Sequence, residues 1–120
     1  MRLTGSFREG FLANIAAGDA ALDTFITAMD TRLTAASGSD AAGISGTITM
    51  NAKCENAGGT EYTHKFSLTF ATGTVANALA NVTTIVTAID TLMDAVEAQS
   101  DYTTVTEVDV TANITVENTA

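Results

Sequence analysis

The stretch that decides the fold is Ile44-Ser45-Gly46-Thr47-Ile48-Thr49-Met50-Asn51-Ala52-Lys53-Cys54, followed after Ala57-Gly58-Gly59 by Thr60 to Ala71. In its first part Ile44, Gly46, Ile48, Met50, Ala52 and Cys54 alternate with Ser45, Thr47, Thr49, Asn51 and Lys53, the period of a strand with one buried face. Tyr62, His64, Phe66, Leu68 and Phe70 alternate in the same way in the second part. If Gly59 takes the left-handed position of a tight hairpin loop, Cys54 faces Tyr62, Ala52 faces His64, Met50 faces Phe66, Ile48 faces Leu68 and Gly46 faces Phe70. Small residues then oppose large ones, which favours that register.

Downstream of the hairpin the period becomes helical. Val75, Ala78, Val82, Ile85, Ile89, Leu92 and Val96 advance by threes and fours, which predicts a helix over 74–100. Its Val and Thr content gives poor intrinsic propensity, so packing must hold it. From Tyr102 to Glu117 alternation returns, with Val108, Val110, Ala112, Ile114 and Val116 on one phase, and predicts a long strand. Upstream, Ser6-Phe7-Arg8-Glu9 has the capping-box pattern, and apolar residues from Phe7 to Leu33 recur near helical period. Gly18-Asp19 divides that run, which reads as one kinked helix or as two, over 6–17 and 19–36.

These elements predict an α+β fold in one domain over residues 1–120: helix or helices, β-hairpin, long helix, C-terminal strand. The helices would pack on a three-stranded, largely antiparallel sheet. A right-handed crossover makes the last strand parallel to the second hairpin strand, which favours a sheet with the first hairpin strand in the centre. The alternative sets the last strand directly beside the second.

Composition narrows the function. Of 120 residues, 22 are Thr, 21 Ala and 9 Gly, with no Pro or Trp, and 46% are hydrophobic. A chain of this size can bury a core without metal or disulfide. The net charge of −9 speaks against phosphate-backbone binding and against an anionic membrane surface, so neither nucleic acid nor membrane is an expected partner. All five bases (Arg2, Arg8, Arg32, Lys53, Lys65) lie in residues 1–65, whereas residues 66–120 carry acids alone. One cysteine gives no intrachain disulfide, and the N-terminus has no secretion-signal pattern, so synthesis and folding in the cytoplasm are expected.

Reactive groups are few. Cys54 and His64 share the inward phase of adjacent strands, where a buried thiol and a partly buried imidazole act as filler. A Cys-His nucleophilic pair would need a third, orienting group that no spacing supplies. Asp90, Asp94, Glu97 and Asp101 form an acidic stripe, as Asp19 and Asp23 do on a smaller scale, without the spacing of a calcium loop. No catalytic, metal or cofactor site is therefore expected, and the chain reads as a non-enzyme.

A Thr-, Ala- and Gly-rich acidic chain with a long terminal strand and helices that need outside packing resembles small bacteriophage virion proteins of the capsid decoration or tail type. That resemblance spans the whole composition and rests on no motif. It implies a self-assembling structural subunit of the virion, a homo-oligomer in contact with its own copies and a neighbouring structural protein. The charge asymmetry suggests Arg2 and Arg8, against Asp101, Glu107, Asp109 and Glu117, as assembly contacts, with the terminal strand offering a free edge. A small cytoplasmic ligand- or protein-binding module is the alternative.

Overall fold

The computed structural model describes residues 1–56, 58–99 and 102–119. It is an α+β fold of six elements: β1 (Arg2–Leu12), α1 (Ile15–Ser37), β2 (Gly43–Asn56), β3 (Glu61–Thr72), α2 (Val75–Gln99) and β4 (Tyr102–Glu117). The four strands form one sheet in the order β1-β4-β2-β3, antiparallel at every step. Both helices lie on one face, and the core between the layers is built from Leu22, Ile26 and Leu33 of α1, Val82, Ile89 and Met93 of α2, and the inward residues of β2 and β4. The other face of the sheet is open.

The hairpin has the expected register at all five facing pairs, and Gly59 has φ 81°. β2 is flanked by β3 and β4, as the crossover argument predicts, and β4 runs parallel to β3 with β2 between them.

The N-terminal expectation fails. Residues 2–12 form a fourth strand instead of a first helix over 6–17, and the sheet is four-stranded rather than three-stranded. The S-x-x-E pattern is not a cap here. The working cap is Asn14, whose side chain accepts from Ala17 N–H at 2.9 Å. Leu3, Gly5 and Phe7 face the helices at a strand's period, and Gly5 leaves the room that Met29 occupies: a Cβ there would lie 2.9 Å from Met29 Sδ. Nor does Gly18 break α1. It is buried against β2, where a Cβ would stand 2.7 Å from Met50 Cε, and the helix runs through it.

The strand order is unchanged if β1 is exchanged with β3 and β2 with β4 and the sheet is read backwards. The chain is thus two β-α-β halves related by a pseudo-twofold axis normal to the sheet, and the sequence repeats accordingly. Thr24, Thr27, Ala28, Asp30 and Thr31 of α1 recur as Thr84, Thr87, Ala88, Asp90 and Thr91 of α2. Thr49, Asn51, Glu55 and Asn56 recur as Thr111, Asn113, Glu117 and Asn118, and Phe7 as Phe66. Equivalent hydroxyls make equivalent bonds: Thr24 donates to Ala20 O and Thr84 to Ala80 O, Thr31 to Thr27 O and Thr91 to Thr87 O.

Over Val75–Ala95 α2 is long and apolar enough to cross a membrane by composition, with mean hydropathy 1.3. In this fold that content forms the stripe Ala78, Val82, Val86, Ile89 and Met93, buried on the sheet.

Two substitutions test the layer arrangement. Ile48 is fully buried under the helices while Thr49 points to the open face, so Ile48→Ala should cost about 2–5 kcal/mol and Thr49→Ala less than about 1 kcal/mol in denaturant titration. Gly46 lies where β2 meets β4, and a Cβ there would fall on the carbonyl oxygen of Asn113, with Ile114 Cδ1 2.9 Å away. Backbone cannot yield as a flexible side chain does, so Gly46→Ala should cost about 1–3 kcal/mol. A neutral result would show that the β2–β4 pairing is looser than described.

Candidate functional site: the sheet edges and the open face

Two strands have a neighbour on one side only. β1 and β3 form the edges of the sheet, and β4 lies inside it, paired with β1 and β2. The expectation that the terminal strand offers a free edge is therefore overturned: the N-terminal strand occupies that side of β4. Met1 N donates to Asn118 O at 3.2 Å, so the two ends of the chain meet within one molecule.

The residues suggested as assembly contacts are distributed by this pairing. Arg2 stands opposite Glu117, and Arg8 opposite Thr111. Glu107 is bonded to Lys53 at 3.2 Å, which pushes the lysine ammonium above its usual range. Asp109 Oδ1 accepts from Phe11 N–H at 3.1 Å. Asp101 lies outside the described residues, as does the side chain of Glu97 in the acidic stripe.

Along each edge a hollow runs between strand and helix. At the β1 edge Phe7, Glu9, Ala20, Ala21, Thr24, Phe25 and Ala28 enclose about 430 Å³. The rings of Phe7 and Phe25 are part of this lining, their centroids 5.0 Å apart. At the β3 edge Phe66, Leu68, Thr84, Ile85, Ala88 and Leu92 are among the residues enclosing about 410 Å³. Phe7 and Phe66, Thr24 and Thr84, Phe25 and Ile85, and Ala28 and Ala88 are equivalent positions of the two halves, so the hollows are pseudo-symmetric copies.

Both flanks expose apolar side chains. Tyr62 is 41% exposed, Leu68 37% and Leu92 54%. The inward phase of β3 is read correctly from the sequence, but Phe70 alone of that phase is buried; Phe66 is half-covered because α2 leaves the outer strand partly uncovered. On β1, a bulge sets Gly10 and Phe11 against Asp109, and Phe11 takes φ 58° with its side chain 90% exposed. A left-handed phenylalanine is unusual, because its Cβ crowds the backbone. The bond to Asp109 holds it there.

The middle of the open face carries mostly uncharged side chains in rows across the strands, and charges lie on either side of them, Arg2 with Glu117 toward one end and Lys65, Asp109, Lys53 and Glu107 toward the other. One row is Thr4, Thr115, Ser45 and Ala71, the next Ser6, Asn113, Thr47 and Thr69, and the third Arg8, Thr111, Thr49 and Ser67. Cross-strand bonds link Thr4 with Thr115, Ser6 with Asn113 and Thr49 with Ser67 at 2.8–3.2 Å. These central rows offer hydrogen bonds with Arg8 as their one charge.

Cys54 is fully buried, and His64 stands on the neighbouring strand opposite Ala52, not Cys54. Among the described residues no three His, Cys, Asp or Glu side chains gather as metal ligands. No protein-family model matches the chain, and no curated protein matches it either.

Among the described residues one carboxylate is perturbed. Asp23, facing α2 from α1, has Oδ1 buried with no hydrogen-bond partner, and its pKa is pushed up from 3.8 to about 6, by burial first and by Asp19 one turn away second. The folded state thus holds this proton more tightly than the unfolded chain does. The resulting stabilisation is present below about pH 4 and is lost as pH rises through about 6. Because the group is only partly buried and water screens its charge, Asp23→Asn should stabilise by only about 1 kcal/mol at pH 7, with no gain below about pH 4. Denaturant titrations at the two pH values read this directly; equal gains at both would trace the effect to packing rather than charge.

Proposed function

We propose that the protein is a non-enzymatic structural subunit that acts in multiple copies, a virion component of the capsid decoration or tail type. The observation that carries the reading is the pair of free sheet edges, each bordered by an apolar hollow and exposed large side chains. A solvated strand edge with apolar flanks is a template for association, and proteins that stay monomeric blunt such edges. β3 has 12 residues with no proline, and its pairing with β2 shows no bulge. The centre of the open face, rich in hydroxyls with Arg8 as its one charge, suits close contact with a neighbouring structural protein. Composition supports the virion assignment by resemblance, and location in the virion after synthesis in host cytoplasm belongs to the same proposal.

The β3 hollow favours the second reading, a small binding module, since its volume is within the range of ligand pockets. Light scattering across a concentration series separates the two. An assembly subunit is expected to rise from monomer to a defined larger mass, and a module to stay monomeric while an apolar probe dye occupies the hollow. A constant monomer mass up to about millimolar concentration would overturn the assembly reading, since contacts too weak to form there fall below roughly 4 kcal/mol.

A further inference from the structure

We infer that copies of this chain associate head to tail, the β3–α2 flank of one copy seating on the β1–α1 flank of the next. The inference rests on the assembly reading above and names its surfaces. β1 runs antiparallel to β3, because each antiparallel step across β4 and β2 reverses direction. A second copy placed with its β1 beside β3 therefore continues an all-antiparallel ladder and keeps its helices on the same side of the sheet. Extending the rows without stagger sets Arg8 of the next copy beside Ser67, and Leu12, at the bulged end of β1, level with His64.

The two flanks share a framework through the repeat and differ where they would meet. Arg2 corresponds to Glu61, Arg8 to Ser67, Glu9 to Leu68 and Arg32 to Leu92. One flank is basic on a chain of net charge −9, and its counterpart replaces those bases with an acid, a hydroxyl and a leucine while carrying Lys65 where β1 has Ser6. Pairing β1 with β1 of another copy would bring the arginines of both strands together; pairing β1 with β3 brings a strand with two arginines and one glutamate to a strand whose Lys65 is offset by Glu61. The projecting Leu68 and Leu92 also face a hollow whose α1 wall combines Ala20, Ala21 and Ala28 with Thr24 and Phe25. Phe11 adds an independent sign: the equivalent Phe70 is buried, whereas Phe11 is turned outward on a left-handed backbone at the rim of the same flank.

The size is sufficient. Twelve strand residues span about 40 Å, and with a molecule at least 16 Å deep each copy offers roughly 600 Å², near the roughly 800 Å² per partner of a stable interface. A heterologous contact of this kind propagates into a ring or a filament.

Complementation between two blocked variants tests the contact. Leu68→Lys with Leu92→Lys blocks the β3 flank, and Thr24→Lys with Ala28→Lys blocks the β1 flank; all four side chains are exposed, and far-UV circular dichroism checks that both variants fold. By light scattering each variant alone should remain monomeric where the parent assembles, and an equimolar mixture should give a 1:1 dimer and nothing larger. If either variant alone still dimerises, the contact is a twofold one between like edges and the inference is overturned. If the parent assembles and both variants assemble like it, the inference fails while the assembly reading stands. A parent that is monomeric at every concentration overturns both.

Discussion

The pairing of β4 with β2 holds the rest of the structure in place. These are the two strands with neighbours on both sides, and each helix bridges strands that lie on opposite sides of one of them: α1 links β1 to β2 across β4, and α2 links β3 to β4 across β2. Until the last strand inserts, β1 has no partner, and the helix layer has no continuous floor. Inward residues Val108, Val110, Ile114 and Val116 supply that floor, and all are fully buried. Gly46 is the local condition for this close approach, since any side chain there would meet the backbone of β4. Such interlocking makes the first residues depend on the last. It also ties stability to contacts that are far apart in sequence, which are slow to form.

This dependence changes what the chain termini can do. Arg2 to Glu9 pair with Glu117 to Val110, so the charges at the two ends of the chain lie beside each other in one molecule rather than between molecules. Removing the end of β4 would release β1 as well, and the loss would be felt in folding before it was felt in assembly. The surfaces left for neighbours are the outer edges of β1 and β3, and these belong to the interior of the sequence as much as to its start.

Much of this was legible in the sequence where one period dominated. The hairpin register followed from small-to-large pairing and one glycine, and α2 and β4 followed from clean changes of period. β1 was hidden because its apolar residues at Phe7, Phe11 and Ile15 also fit a helical spacing, and Ser6 and Glu9 imitate a cap. Two glycines, Gly5 and Gly10, are the residues that argue against that helix, one needed for Met29 and the other sitting in the bulge. The internal repeat was the signal that could have corrected the error. Thr24-x-x-Thr-Ala-x-Asp-Thr31 against Thr84-x-x-Thr-Ala-x-Asp-Thr91 aligns α1 with α2, and the alignment then sets β1 against β3, a strand plain from its alternation. The free edges were less legible, because strand order depends on crossovers whose ends meet only in three dimensions.

The threonine content follows from the same architecture. A two-layer fold has one sheet face and two outer helix faces open to water, and in this chain hydroxyl and methyl groups cover the centre of the sheet face and much of the helices, while the charges of the sheet gather toward its ends. On the sheet, β-branched Thr and Ser suit the pleated backbone and bond across strands. On the helices Thr24, Thr31, Thr84 and Thr91 fold their hydroxyls back onto the carbonyls one turn earlier, so even solvated positions satisfy their hydrogen bonds within the chain. The central rows hold no lysine or glutamate side chain whose freedom would be lost on contact; Lys53, Lys65, Glu107 and Glu117 stand nearer the ends of the sheet. Ordering a long charged side chain costs up to about 2 kcal/mol, whereas a Thr already held by its own backbone has little left to lose. The composition that makes α1 and α2 mediocre helices in isolation therefore makes the folded molecule a surface that a neighbour can cover at small entropic cost.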